Sequence, residues 1–500
     1  MGIKSKLLYA VANRICLHEE KQATKAIAIQ AQIFRSLISK AKNTQFGKDH
    51  HFSAIKSIED YRQRVPLAEY ESMAHYFEET KKGKKNILWP GKPKYLAKTS
   101  GTTSGSKYIP ITQASVGNHI NSARNVLFSY VHQQKSAAIM DGQMLFLSGS
   151  PELEFENGIA IGRLSGIVNH EIPAWFQKTK FPSKEINLLS PWEYKVDRII
   201  ESIIDKNITV ISGIPPWMQM MLEKMMLKTG KTNAREIFPN LQVFIHGGVN
   251  FTPYEKNLRH LLGEDVVFLE TYPASEGFLA YQENYQEAGM RLVINSGIFY
   301  EFIPIHQIQN ENATRLDLTA VETGKDYAIV ITSNAGLWSY LLGDIVQFVS
   351  LTPYKIKVCG RTSQFISAFG EHIIASEIES ALSYAQLQHD LQIIEFSVAP
   401  QVSPQDNSLA YHEWFIEFKT IPADLKAVAK TIHESLCKTN SYYKDLFDGK
   451  MLDLPKIRTV NSGGFKHYLQ SINRYGEQFK VPRISNNRIV ADNLMKYCNL

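Results

Sequence analysis

The sequence predicts an α/β protein in two parts: a large N-terminal domain of mixed sheets and helices over residues 1–360, and a small α+β domain over residues 361–500. Three observations carry this reading. Short apolar runs alternate with helix-length stretches from about residue 94, strand-like runs crowd together over 278–360, and helix–strand alternation returns after Gly360-Arg361. A chain of 500 residues also exceeds one core, at roughly 150 residues per domain.

In chain order, the first ninety residues read as helical. Ala23, Ile27, Phe34, Ile38 and Ala41 recur at helical spacing and should share a buried face, and Gly47 should close that region. Strands are expected at Met144 to Leu147, Ile208 to Ile211, Leu241 to Ile245 and Val266 to Leu269. Helices are expected between them at Trp217 to Lys228 and Tyr254 to Leu262, the rhythm of a parallel or mixed sheet covered by helices. The β-rich part follows, with runs such as Ile298 to Ile305, Tyr327 to Thr332 and Ile345 to Val349. In the small domain, Ser376 to Tyr384 and Ala423 to Leu436 read as helices, and Ile393 to Val398 and Trp414 to Phe418 as strands.

Composition narrows the function classes. Hydrophobic residues at 44% and charged residues at 21% supply a large interior, which excludes disorder along most of the chain. The net charge of +6 is mild, and Lys81-Lys82-Gly83-Lys84-Lys85 reads as a solvated loop rather than a nucleic-acid footprint. Cys16, Cys359, Cys437 and Cys498 show no CxxC spacing, so neither a zinc site nor a disulfide framework is expected, and a reducing compartment is. No apolar run reaches the ~18 residues of a membrane helix. Leu7 to Ala12 reads as part of a surface helix rather than a signal peptide. The expectation is a cytoplasmic protein with small-molecule partners, no nucleic acid and no membrane insertion.

The most informative segment is Thr99-Ser100-Gly101-Thr102-Thr103-Ser104-Gly105-Ser106-Lys107. Eight consecutive Ser, Thr and Gly residues serve no core. They offer unobstructed backbone N–H groups and hydroxyls, Lys107 adds a cation, and such a loop can wrap a polyphosphate. It is not a Walker loop: three residues rather than four separate Gly101 from Gly105, and Ser106 intervenes before the lysine. Tyr108 to Thr112 then alternates like a strand.

This loop resembles the phosphate-binding motif of adenylate-forming enzymes, the superfamily of acyl-CoA synthetases, firefly luciferase and peptide-synthetase adenylation domains. Three further segments resemble its later motifs in order: Thr271-Tyr272-Pro273-Ala274-Ser275-Glu276-Gly277, then Tyr340-Leu341-Leu342-Gly343-Asp344, then Gly360-Arg361-Thr362-Ser363 with Phe369-Gly370-Glu371 at the hinge. Ile214 to Met218, Phe244 to Val249, Phe299 to Pro304 and Gln478 to Arg483 look like one branch, the Gretchen Hagen-type, auxin-responsive acyl acid amido synthetases, including bacterial members. The resemblance spans about residues 30 to 495 and implies the adenylate-forming fold.

The resemblance also implies roles. Ser100, Gly101, Thr102, Thr103, Ser104 and Lys107 would contact the β- and γ-phosphates of ATP. Glu276 would hold Mg²⁺, a hard cation suited to carboxylate oxygen. Tyr272, within the Thr271 to Ser275 motif, would face adenine, with Gly248 and Val249 on its other side, while His246 reads as a packed histidine. Asp344 would accept from the ribose hydroxyls, and Arg361 would bind ribose or phosphate. Leu341 stands where the family's third motif often carries a basic residue. Lys480 is favoured over Lys466 as the C-terminal lysine that meets the α-phosphate and substrate carboxylate, and rotation about Ser363 would exchange it for a face admitting the amine.

The implied activity is ATP-dependent activation of a carboxylic acid as its acyl-adenylate, with pyrophosphate released. Transfer to an amine, an amino acid by family habit, then releases AMP. An acyl-CoA ligase and a nucleotide-binding regulatory protein without turnover are the alternatives. The acid's pocket should be built from residues between about 140 and 340, with Trp175, Phe176 and Tyr300 as candidates.

Overall fold

Thr44 and Ser57 decide where the N-terminal helices break. Helices Ile3–Ala23 and Ala26–Ala41 are followed by the short helix Gln45–Asp49, capped by the Thr44 hydroxyl accepting from Gly47 N at 3.0 Å. A capping box of Ser57 and Asp60 opens helix Ile58–Arg64. Gly47 therefore does not close the helical region. It lies inside a new helix, where a Cβ would collide with the Ala41 carbonyl oxygen. Phe34, Ile38 and Ala41 are buried as expected, but Ile27, in the first turn of the second helix, is exposed.

The structure is a computed structural model. It describes all residues except 1–2, 101–105, 150, 173–176, 190–191, 249–250, 252–253, 309, 311–312, 363–364, 367–370, 372, 402–403, 405–407, 449–451, 473–479, 486–487 and 499–500. The chain divides into two units. The first comprises Met1–Leu342 and Val346–Val358, and the second Gly343–Ile345 and Cys359–Leu500.

The first unit is built on an eleven-stranded sheet. Its order is Ile298–Pro304, Asp326–Ser333, Tyr340–Leu351, Tyr354–Arg361, Met290–Leu292, Gly277–Tyr281, Val267–Ala274, Val243–Gly247, Ile208–Gly213, Gln143–Phe146 and Lys180–Phe181. The last five pair in parallel, and the β-rich segment continues the same sheet through antiparallel pairs. Parallel strands must be covered on both faces, which explains their continuous apolar runs. Leu145, Ile211, Phe244 and Phe268 pack against helices Trp192–Ile203, Pro215–Thr229 and Glu255–Leu262. Val210, Val243, Ile245 and Leu269 pack against helices Ile3–Ala23 and Val116–Gln133. A smaller sheet has the order Ser106–Ile111, Tyr95–Ser100, Ile159–Gly162 and Glu154–Glu156.

The second unit has a three-stranded sheet, Ile393–Gln401, Tyr411–Phe418 and Lys456–Thr459. Strand alternation sends Val398, Trp414 and Ile416 toward helices Ala375–His389 and Leu425–Thr439. Ala399 and Phe415 face helices Gly464–Ser471 and Ile489–Leu494 instead. Among the described residues no helix is long and apolar enough to cross a membrane.

Candidate active site

In the first unit, strands Tyr95–Ser100 and Ser106–Ile111 pair as a hairpin on either side of the hydroxyl-rich segment. Ser100 pairs with Ser106 and Thr99 with Lys107, while Gly101, Thr102, Thr103, Ser104 and Gly105 lie outside the described residues. Lys107 is half-buried at the loop's base. Its ammonium lies 3.6 Å from the Glu71 carboxylate and 5.3 Å from the Tyr70 ring centroid. Tyr70 accepts from Tyr108 N at 3.0 Å, so the Glu69-Tyr70-Glu71 run is tied to the hairpin.

The second motif is also a hairpin tip. Ala274 pairs with Gly277, leaving Ser275-Glu276 as a two-residue turn between strands Val267–Ala274 and Gly277–Tyr281. Glu276 is half-buried there. Asn118 braces the turn from behind: its side-chain oxygen accepts from Phe278 N at 2.6 Å, and its amide donates to Phe278 O at 3.0 Å and to Ser296 Oγ at 2.7 Å.

The start of the third motif joins these two. Ala68 N donates to Ser339 O, and Leu341 N to Ala68 O, which sets buried Tyr340 beside the run that carries Glu71. Burial pushes the Tyr340 phenol well up, and the carboxylates of Glu276, Glu71 and Glu69 push it further. Tyr340 therefore lies within electrostatic reach of both Glu276 and the partner of Lys107.

The adenine candidates lie where parallel strands end. Gly213 pairs with His246 and Gly247 with Thr271, so two parallel strands end level beside Thr271 of the third, the usual place for ligands in open α/β sheets. Thr271 Oγ1 donates to His246 O at 2.8 Å, and a Cβ on Gly247 would lie 2.7 Å from Thr271 Oγ1. Gly248 has φ +80, and Val249 lies outside the described residues. Tyr272 belongs to the main core with 8% of its surface exposed, so it offers a base a narrow strip rather than an open face. His246 is a packed histidine: it stacks on Phe251 at 4.0 Å, and burial, with Arg259 adding, pulls its pKa down to about 3.

Tyr300 is not a pocket residue. It is fully buried, stacks on Phe302 and donates to Val293 O at 2.9 Å. Trp175 and Phe176 lie outside the described residues.

In the second unit, Asp344 and Arg361 form an ion pair at 3.0 Å. Gly343 has φ +85 and accepts from Thr362 N at 2.8 Å, which places the two side chains together. Ser363, Phe369 and Gly370 lie outside the described residues. Glu371 is fully buried and pairs with buried His412 at 2.8 Å, so it is an interior group. Lys480 and Lys466 are both exposed. Desolvation of the ammonium, then Arg483, pull Lys480 below the usual lysine range, and Glu395 opposes them.

Among the described residues no three His, Cys, Asp or Glu side chains converge into a metal cage. A single half-buried carboxylate such as Glu276 fits Mg²⁺ that takes its other ligands from phosphate and water. Sequence reading missed Glu71 and Asn118. Asn118 sits on the buried side of helix Val116–Gln133, a signal that an interior asparagine has a partner.

Comparison with known proteins identifies the family and the fold. The GH3 family N-terminal domain matches residues 17–180 and 154–267, the central domain residues 291–361 and the C-terminal domain residues 376–489. A jasmonoyl-L-amino acid synthetase of Nicotiana attenuata is 21% identical over 91% of this chain and 90% of its own. An indole-3-acetic acid-amido synthetase of Arabidopsis thaliana is 30% identical over 37% of this chain and 33% of its own. The fold is that of the GH3.15 acyl acid amido synthetase in complex with 2,4-DB, with a TM-score of 0.80 at 14% identity over 98% of this chain and 96% of that one. It is also that of 2-hydroxyisobutyryl-CoA ligase in its postadenylation state, with a TM-score of 0.62 at 14% identity over 95% and 92%. With domain matches from residue 17 to residue 489, the chain belongs to the GH3 family.

Proposed function

We propose that this protein is an ATP-dependent acyl acid amido synthetase acting through an acyl-adenylate. The observation that carries the reading is the pairing of Lys107 with Glu71, with both Glu71 and Glu276 within electrostatic reach of buried Tyr340, in a chain that matches the family along its length.

The chemistry follows from what these groups can hold. A carboxylate oxygen attacks the α-phosphorus, a new P–O bond forms, and the bond to the bridging oxygen breaks as pyrophosphate leaves. Two anions must approach, so the barrier is chiefly electrostatic. Lys107 and the hydroxyl-rich loop hold the β- and γ-phosphates. Glu276 would hold magnesium, which would neutralise phosphate charge when bound. Gly248, Val249, Thr271, Tyr272 and Ser275 frame adenine, Asp344 and Arg361 take the ribose, and Lys480 supplies the cation for the α-phosphate. An amine nitrogen then attacks the acyl carbon and loses its proton as the bond to AMP breaks, leaving an amide. The substrates are a small carboxylic acid and an amino acid.

Pyrophosphate release across a panel of carboxylic acids, each with and without pooled amino acids, tests this. Acid-dependent release that turns over with amino acids and ignores coenzyme A is expected. A requirement for coenzyme A would make the protein an acyl-CoA ligase. ATP binding with no response to any acid would make it a regulatory nucleotide-binding protein.

A further inference from the structure

We propose that Arg483 is the positioning residue for Lys480, holding the segment that presents this ammonium for adenylation; the inference rests on the assignment of Lys480 above. Arg483 Nη1 donates to Glu379 at 3.2 Å and Nε donates to Glu395 at 3.1 Å. Glu379 lies on helix Ala375–His389 and Glu395 on strand Ile393–Gln401, so one planar guanidinium fork ties the segment to two elements at once. The same guanidinium covers the Phe396 ring at 5.0 Å, and 17% of its side-chain surface is exposed, little for an arginine.

The backbone is held with it. Val398 N donates to Arg483 O at 2.8 Å, Ser485 N donates to Val398 O at 3.0 Å, and Ser397 Oγ donates to Pro482 O at 2.7 Å. Val481 and Ile484 are buried on either side. Lys480 stands two residues from Pro482, whose ring fixes φ. That is at most about 7 Å of chain. The exposed lysine thus has a fixed foot, and Arg483 is the side chain that fastens it.

Arg483 also acts on Lys480 through charge. Among the described residues, Arg483 and Arg361 disfavour the Lys480 proton and Glu395 favours it. A merely structural arginine would change stability when replaced. A positioning arginine would change the rate and the alkaline limb of the pH profile.

The test uses the full chain, ATP–pyrophosphate exchange and an acid found active in the panel. Lys480→Ala is expected to lower the exchange kcat about 100-fold, as for loss of one donor to developing charge. Arg483→Lys, which keeps the charge and loses the fork, is expected to lower kcat about tenfold, equivalent to one poorly placed charge contact. Its KM for ATP should stay within about twofold of the parent's. The alkaline limb is expected to move up in Arg483→Met and down in Glu395→Gln. Parental kcat in Arg483→Lys beside a slow Lys480→Ala overturns the inference and leaves the lysine assignment standing. Parental exchange in Lys480→Ala overturns the assignment itself. A kcat loss in Arg483→Met that follows its thermal midpoint, with the limb unmoved, makes Arg483 structural and also overturns the inference. Should Arg483→Met fail to fold, Arg483→Lys and Glu395→Gln decide.

Discussion

Lys107 illustrates how much a single residue carries here. Its ammonium is shared between the Glu71 carboxylate and the Tyr70 ring, so it stands at the foot of the loop with little freedom left to lose on binding. Charge-assisted hydrogen bonds are worth about 1.5–3 kcal/mol. Lys107→Met is therefore expected to raise the KM for ATP at least about tenfold, measured by pyrophosphate exchange; an unchanged KM would remove Lys107 from the phosphate site. Two buried histidines make a separate prediction. Burial pulls His246 down to about 3 and His119 down to about 4. The unfolded chain takes up their protons below about pH 6.5 and the folded chain does not. Their neutral packing thus costs nothing above about pH 6.5, and stability falls as pH drops toward those lowered values, by up to about 1.4 kcal/mol per unit for each group. His246→Phe, which keeps a ring against Phe251, is expected to remove one such increment, read as a shallower fall of the urea midpoint between pH 7 and 5. An identical slope in parent and variant would count against it. Lys107 was legible because its loop has no use in a core. Glu71 was not, because its partner is brought to it by the hydrogen bond from Tyr108 N to Tyr70, which no local pattern encodes.

At the scale of elements, two glycines next to the site are there for different reasons. A Cβ on Gly247 would run into the Thr271 backbone carbonyl of the neighbouring strand, which cannot turn aside. A Cβ on Gly277 would lie 2.6 Å from Ile298 Cδ1, the end of a side chain that can. Gly247→Ala is therefore expected to destabilise the protein by about 3 kcal/mol and Gly277→Ala by about 1 kcal/mol, within the range of overpacking. Chemical denaturation gives both, and a reversed order would refute the packing account. Strand positions were largely legible: the runs at 208–211, 241–245 and 266–269 lie within observed strands or one to two residues from their ends. Buried parallel strands have to be apolar throughout, and that is a local property. The sheet order was not legible, since it depends on pairs such as Met290 with Ile356 that are distant in sequence. Gly47 was misread because close approach to Ala41 and a helix stop both call for glycine.

At the scale of the whole molecule, the apolar cores determine what can stand alone. The clusters around Phe34 and Trp338, around Leu222 and Phe244, and around Val126 and Val243 draw only on the first unit. Those around Ile378 and Trp414 and around Phe415 and Phe465 draw only on the second. Strand Tyr354–Arg361 carries the chain from one to the other, and its buried Ile356 belongs to the first. A chain ending at Val358 keeps every residue of the first unit's cores, together with Lys107, Glu276, Thr271 and Tyr272. It loses Arg361 and Lys480. Such a fragment is expected to unfold cooperatively and to bind ATP, because the groups proposed to hold phosphate and adenine remain. Its acid-dependent pyrophosphate release is expected to fall at least about 100-fold, the scale of losing one preorganised donor to developing charge. Calorimetry and the exchange assay on the same sample read the two properties separately. A fragment that folds, binds ATP and still adenylates at the parental rate would show that the second unit serves only the amide-forming step. Lys480 would then have no part in the first half-reaction.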